Sequence, residues 1–311
     1  MKREVISVVL CCYNGEKYIE EQMESLKNQT RQPDEVLIFD DCSTDKTVEI
    51  IKKYIAANQL KTWSITVNEN NKGWKTNFID GLKKAKGEII FPCDQDDIWY
   101  LDKIEKMAGI LENNENILLL AGNYEAFYEG DNYQKVDRVF KKNIQNDENI
   151  YKMEANEKGV YILSPGCVMG IRKELLDISL KYMFPEYPHD ALLWRNAMFL
   201  DGLYRYDRNV IRFRRHGENA SDKKQHQKDQ KLESIRYYIK VCDKLLQLVI
   251  DRHDEKKERI LDNTKKFWEL RENFYETRSI ILGIRLLLFY HTYYLTWKAS
   301  VGDLYIVLRN K

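Results

Sequence analysis

Val8-Val9-Leu10-Cys11-Cys12-Tyr13-Asn14-Gly15 is an apolar run that stops at a polar, turn-forming triplet. With Val5 to Ser7 ahead of it, the run has the length and β-branched content of a buried strand, and Asn-Gly supplies its stop. Outward from it the same grammar recurs at 35–39, 63–67, 88–91 and 117–121. Between these runs lie amphipathic stretches: residues 17–28, a second that follows a cap at Ser43 or Thr44 and buries Val48, Ile51 and Ile55, and a third at 76–85. Strand alternating with helix over the first 120 or so residues predicts a parallel α/β layer with right-handed crossovers, whose ligands bind at the carboxyl ends of the strands. Three of those ends are polar: Tyr13-Asn14-Gly15, Asp40-Asp41 and Asp94-Gln95-Asp96-Asp97.

The chain has 311 residues, enough for one large domain with a smaller one appended. Its 50 basic and 49 acidic side chains give a formal charge of +1, so no global field marks it for nucleic acid. The charge is uneven, since residues from Ser234 onward carry 15 Lys and Arg against 10 Asp and Glu. Six cysteines form no C-x-x-C pair and sit mostly in apolar runs, as reduced core thiols of a cytoplasmic protein do. The N-terminal apolar stretch is too short for a signal peptide. The longest apolar stretch, 280–295, carries Arg285 and His291 and falls short of the ~20 residues that span a bilayer.

Further along, residues 124–156 read as a long polar excursion, 159–171 as more sheet and 172–180 as a short helix. After Ser221 the pattern changes to long charged helices with almost no Gly or Pro, which puts a domain boundary near 220–230. The chain therefore reads as a domain at 1–225, with halves at about 1–122 and 123–225, followed by a helical region at 226–311.

Asp94 and Asp96 leave a strand at i and i+2 and so project to one side. Mg²⁺ and Mn²⁺ favour one or two carboxylates completed by water and phosphate oxygens, so this D-x-D suits a metal that tethers a nucleoside diphosphate. A solvated acidic turn before Ile98 fits the tetrapeptide alone. In Asp40-Asp41-Cys42-Ser43-Thr44-Asp45, helix capping explains Ser43, Thr44 and Asp45, whereas Asp40 and Asp41 offer acceptors for a ribose hydroxyl or a pyrimidine imide.

Taken in order, Val8 to Gly15, Asp40 to Asp45 and Asp94-Gln95-Asp96-Asp97-Ile98-Trp99 resemble the family 2 glycosyltransferases. The resemblance continues through Gly87-Glu88-Ile89-Ile90, Gly166-Cys167-Val168-Met169, His189-Asp190 and Arg214-Arg215-His216-Gly217-Glu218-Asn219, over about the first 220 residues. It implies a GT-A fold, a mixed α/β sheet flanked by helices, and metal-dependent inverting transfer from a nucleotide-sugar to a hydroxyl. By position it implies that Cys11, Tyr13, Asn14 and Asp41 bind the nucleotide, with Tyr13 stacking on the base and Asp41 accepting from it. Asp94 and Asp96 would bracket the ribose and an Mn²⁺ or Mg²⁺ ion, with Asp96, Asp97 and His216 as metal ligands. Lys75, Arg214 and Arg215 would reach the diphosphate, and Trp99, Gly166, Cys167 and His189 would line the donor sugar and acceptor. Asp190 would be the general base that takes the acceptor proton. The same residues also admit structural readings: a helix-start lysine at Lys75, a helix N-terminal acid at Asp190 and a plain turn at Gly166.

Within the family, His189-Asp190-Ala191-Leu192-Leu193 and the Asp94–Trp99 form look most like rhamnosyltransferase-type members of bacterial surface polysaccharide synthesis. That implies a dTDP-linked deoxysugar donor, with UDP-sugars close behind, and a glycan or lipid-linked acceptor. A sugar nucleotidyltransferase would need a glycine-rich phosphate loop after the first strand, where this chain has one glycine. A non-catalytic nucleotide-sugar-binding scaffold would tolerate loss of Asp94, Asp96, Asp97 or Asp190, and all four are present. Residues 274–308 mix Phe, Tyr, Leu and Trp with Arg278, Arg285 and Lys298, as an interfacial segment beside the inner face of a membrane does. A helix hairpin packed on the catalytic domain or on a second subunit of a homodimer fits the same composition.

Overall fold

The structure, a computed structural model, describes residues 3–129, 145–217 and 228–309. Its strands are β1 (Ile6–Cys12), β2 (Glu35–Asp40), β3 (Trp63–Val67), β4 (Ile89–Asp94), β5 (Ile98–Trp99), β6 (Leu119–Tyr128), β7 (Ile150–Lys152), β8 (Met169–Arg172) and β9 (Leu203–Arg215). The helices are α1 (Ile19–Lys27), α2 (Thr47–Ala57), α3 (Trp74–Lys84), α4 (Lys103–Glu112), α5 (Lys173–Ser179), α6 (His189–Phe199), α7 (Lys228–Asp251), α8 (Glu255–Thr277), α9 (Ile280–Phe289) and α10 (Trp297–Arg309).

Among the described residues the strands form one mixed sheet in the order β3-β2-β1-β4-β8-β6-β9-β5, with β7 pairing to β9. The β3-β2-β1-β4 half is parallel, and β8 joins it antiparallel to β4. Period-two alternation sorts β1 between the two faces. Ile6, Val8, Leu10 and Cys12 enter a core with Ile19, Met23 and Leu26 of α1, Ile51 of α2 and Ile104, Met107 and Leu111 of α4. Val9 points the other way, against α3, where Gly81 lies so close that a Cβ would meet Val9 Cγ1 at 2.7 Å and Phe39 Cδ2 at 2.9 Å. The parallel half is the layer that the strand–helix alternation predicts, and the whole is the mixed, helix-flanked α/β sheet that the family resemblance implies.

Three local expectations change. Residues 159–171 are not all sheet: only Met169–Arg172 is a strand, preceded by a 3-10 turn at Gly166–Val168. Helix α2 starts at Thr47, not after Ser43 or Thr44, and it is Asp45 that accepts from the Thr47 N–H at 3.0 Å. The thirteen-residue β9 is the third departure, because its apolar residues are interrupted by five arginines and other polar side chains. The excursion at 124–156 and the boundary at 220–230 lie in part outside the described residues.

The described chain divides into two compact units, a sheet unit drawn from Met1–Met153, Leu163–Ala197 and Asp201–Asn219, and a helical unit drawn from Glu154–Ile162, Met198–Leu200 and Ala220–Lys311. Among the described residues no helix is long and apolar enough to cross a membrane. The helical unit is built on a buried ionic knot. Asp303 on α10 accepts from Arg271 Nη2 at 2.9 Å, from Tyr275 Oη at 2.7 Å and from Tyr294 Oη at 2.9 Å. Both charges are almost fully buried, and the guanidinium lies 4.9 Å from the ring centres of Trp268 and Tyr294. Removing one partner strands the other charge. Asp303→Ala is expected to destabilise the helical unit by about 3–5 kcal/mol in urea unfolding, and the apolar pair Arg271→Met with Asp303→Leu to recover most of that loss. A loss below about 1 kcal/mol in the single variant would show the knot to be dispensable.

Candidate active site

The parallel register sets the site. Cys12 pairs with Asp40 and Cys11 with Asp94, so the ends of β2, β1 and β4 lie side by side and their three polar loops open at one edge of the sheet. Much of the polarity in those loops is used to hold them. Asp40 is fully buried and accepts from the Ser43 N–H at 2.8 Å and from the Ser43 hydroxyl. Asp41, also buried, accepts from Asn68 Nδ2 and the Lys72 N–H at 2.9 Å and from the Gly73 N–H at 2.8 Å, which fixes the loop before α3. Asn14 has a φ of 48°, a left-handed conformation that asparagine tolerates, and its Oδ1 accepts from the Thr44 N–H at 2.8 Å. Tyr13 itself projects outward with 45% of its surface exposed.

Gln95, silent in the sequence reading, locks two strand ends together. Its Oε1 accepts from the Tyr13 N–H at 2.8 Å and its Nε2 donates to the Tyr13 carbonyl at 3.1 Å. Gly15 makes room for it, since a Cβ there would lie 2.3 Å from Gln95 Oε1.

The acidic loop separates into two groups. Asp94, Asp97 and Cys167 present ligand atoms all within 4.8 Å of one another. Asp97 is fully buried; its Oδ1 accepts from the Arg214 N–H at 3.1 Å while its Oδ2 has no hydrogen-bond partner. Burial, then the neighbouring Asp96 and Asp94 charges, raises its carboxyl well above the usual range. Burial and then Asp96 push Asp94 up to about 7. Asp96, whose charge acts on both, has its Oδ2 at 2.9 Å from His216 Nε2. The expected metal set of Asp96, Asp97 and His216 is thus divided: Asp97 converges with Asp94 and Cys167, and His216 is seated on Asp96. An orphaned carboxylate oxygen beside a second carboxylate fits a hard divalent cation such as Mg²⁺ or Mn²⁺.

Beneath this cluster lies Lys103, which sequence reasoning missed. It is 1% exposed, donates to the Cys167 carbonyl at 2.6 Å and lies 3.2 Å from the ring centre of Trp99. Burial lowers its amine to about 8 against the opposing pull of the nearby thiols, Asp97 and Asp94. The signal was its spacing, because Lys103, Met107 and Leu111 recur every four residues on the buried stripe of α4.

Across from the carboxylates, Gly166 brings two chain segments together. A Cβ at Gly166 would meet His189 Nε2 at 2.7 Å and Asp190 Cβ at 3.2 Å. Asp190 sits in the first turn of α6, with its Oδ1 accepting from the Ala191 N–H at 2.7 Å, and its charge is felt at Asp94. His189 is buried, stacked 4.0 Å from the ring centre of Phe78, with neither ring nitrogen hydrogen-bonded. Burial lowers its basicity and favours the neutral imidazole.

Two expected contacts do not survive. Trp99 cannot line the sugar site, because its ring is buried between Phe91 and Lys103. Arg214 is not available to a diphosphate: its guanidinium is engaged by Glu21 and Glu129, its Nε donates to the Asp96 carbonyl at 2.9 Å, and Tyr18 and Phe127 sandwich it. It positions the acidic loop instead. Arg215 is buried, 5.6 Å from the Phe213 ring centre. Lys75 is half-buried on α3 and donates to the Glu186 carbonyl at 3.1 Å. Cys11 is buried beside Asp94, and burial raises its thiol well above the usual range.

With this geometry in place, the sequence profile of glycosyl transferase family 2 matches residues 7–178, more than half of the chain. The chain belongs to glycosyl transferase family 2. An uncharacterized glycosyltransferase of Haemophilus influenzae is 27% identical over 248 residues, 76% of this chain and 74% of that protein. The poly(ribitol-phosphate) β-N-acetylglucosaminyltransferase TarS of Staphylococcus aureus is 34% identical over 116 residues, which is 37% of this chain and only 20% of TarS. The crystal structure of TarS residues 1–349 in complex with UDP-GlcNAc superposes with a TM-score of 0.63 at 23% identity, covering 97% of this chain and 81% of that one. A mannosyltransferase of Pyrobaculum calidifontis in complex with GDP-Man and Mn²⁺ superposes with a TM-score of 0.53 at 14% identity, covering all of this chain and 88% of that one. These likenesses make the fold of this family 2 glycosyltransferase GT-A.

The raised carboxyls carry a stability prediction. The folded protein holds the Asp94 proton up to about pH 7, whereas the unfolded chain releases it near pH 4, so stability contributed by this group falls as pH rises between those values. Asp94→Asn is therefore expected to melt higher than the parent at pH 8, with the gap closing toward pH 4. Parallel melting curves for the two proteins across that range would contradict it.

Proposed function

We propose that this glycosyltransferase moves a sugar from a nucleoside diphosphate sugar to an acceptor hydroxyl in a single displacement that inverts the anomeric carbon. The observation that carries the reading is the approach of Asp190 to Gly166, which puts a carboxylate of α6 beside the Asp94, Asp97 and Cys167 cluster. In this reading Tyr13 stacks on the base, the loop held by Asp41 walls the nucleotide pocket, and Asp94 lies toward the ribose. Asp94 and Asp97 would hold a divalent cation, with Asp96 alongside. Such a cation neutralises charge on the diphosphate leaving group. Gly166 leaves space for sugar and acceptor to approach the backbone, and His189 gives that space a neutral wall.

Asp190 takes the proton from the attacking hydroxyl. For the donor base we favour uridine, because the TarS structure was captured with UDP-GlcNAc; a dTDP-linked deoxysugar is the competing donor. For the acceptor we favour a hydroxyl of a glycan or polyol-phosphate chain, since TarS is a poly(ribitol-phosphate) β-N-acetylglucosaminyltransferase. Use of a nucleotide-sugar places the reaction on the cytoplasmic side.

Asp190→Asn is the direct test. A positioned general base contributes roughly 10²- to 10⁴-fold, so turnover should fall by that factor while the Kd for the nucleotide changes little. Turnover within about twofold of the parent would remove Asp190 from the mechanism, and donor binding that persists without turnover in the parent itself would favour a binding scaffold.

A further inference from the structure

Helices α9 and α10 of the helical unit each leave one face apolar and open. On α9, Ile281, Leu288 and Phe289 are 78%, 64% and 71% exposed, with Ile280 and Ile284 completing the stripe at helical spacing. On α10, Trp297 is 70% exposed and Val301 and Tyr305 follow it at intervals of four. The opposite face of α9 is the packed one, because a Cβ on Gly283 would meet Leu304 of α10 at 2.8 Å and Phe274 of α8 at 3.0 Å. The outward stripe is thus the side that the helical unit does not use. Large aliphatic and aromatic side chains left together in water on two neighbouring helices mark an interaction surface.

Charge selects the partner. Between Thr277 and Asp303 the sequence has no acidic residue, but it has Arg278, Arg285, Lys298 and His291. Arg285 and Lys298 are exposed and fall within the apolar stripes, next to Ile284 and Trp297. Asp303 does not offset them, being buried against Arg271. A second copy placed on this face by a two-fold axis would set cations against cations around the apolar patch, with no acid of the 278–302 segment to pair with them. An anionic bilayer surface answers both features, taking the apolar side chains below the headgroups while the Arg and Lys stems reach up to phosphate. The ten residues of α9 rise only about 15 Å, half a hydrocarbon core, which suits a helix lying in the interface.

We infer that the outward face of α9 and α10 docks the protein on anionic membrane lipid. The inference does not rest on the transfer reaction and stands or falls apart from it.

Flotation of the full chain tests it, with vesicles of phosphatidylcholine alone and of phosphatidylcholine containing phosphatidylglycerol. The protein should float with the anionic vesicles and far less with the neutral ones, and added salt should weaken but not abolish the association. Ile281→Ser, Phe289→Ser and Trp297→Ser combined should weaken it at least about tenfold. Arg285→Glu and Lys298→Glu should each cost about fivefold. All five positions are exposed, and an unchanged melting curve with unchanged nucleotide binding confirms that the variants fold. Failure of the parent to float with anionic vesicles would overturn the inference. So would equal flotation of the triple serine variant, or a parent dimer in solution that this variant dissociates.

Discussion

Two carboxylates, Asp94 and Asp97, are held largely out of water with their ligand atoms within 4.8 Å of each other and of the Cys167 thiol. Like charges so placed are costly, and both acids respond by holding their protons far more tightly than usual. Much of the surrounding structure is arranged to tolerate them. Lys103 supplies a buried cation from below, the Arg214 N–H donates to Asp97, and the Arg214 side chain pins the backbone of Asp96. Pairing of β5 with β9 is what brings Arg214 there, because Ile98 lies opposite Arg212 in that ladder. The short β5 and the long, arginine-rich β9 make physical sense as the brace of the acidic loop. Strain kept at such a point is the usual mark of a functional site.

Around that point the loops divide their side chains between scaffolding and chemistry. Asp40, Asp41, Asn14 and Gln95 are committed to hydrogen bonds within and between the strand-end loops. Tyr13 is open to solvent, and Asp94, Asp96 and Asp190 are half-buried. A pocket whose walls are fixed before a ligand arrives loses little entropy in ordering them on binding. Gly15, Gly81 and Gly166 serve the same end, each admitting a neighbour at a distance that any side chain would forbid.

The strand ends and their polar loops were legible in the sequence because a buried parallel strand is a short apolar run, and its stop is conspicuous. The fold also brings Asp94, Asp97, Gly166 and Asp190, each singled out in the sequence, close to one another. What the sequence hid were roles set by long-range contacts. Arg214 looked like a phosphate binder since nothing local shows that Glu21 and Glu129 lie beside it. Trp99 looked like a sugar contact, yet tertiary packing places it in the core with Lys103 packed on its ring. Strand β9 escaped because its arginines break the alternation, and the acids that pair with Arg208 and Arg214 come from elsewhere in the chain.

We propose that the three strand ends form a metal-dependent nucleotide-sugar site. Calorimetric titration of the full chain with UDP, dTDP, GDP and CMP, each with and without Mn²⁺, tests it most directly. One diphosphate, with UDP first in order, should bind with at least about tenfold higher affinity when Mn²⁺ is present, and Asp97→Asn should remove the metal's contribution. Absence of binding to all four nucleotides, or binding indifferent to Mn²⁺ and to Asp97, would contradict it.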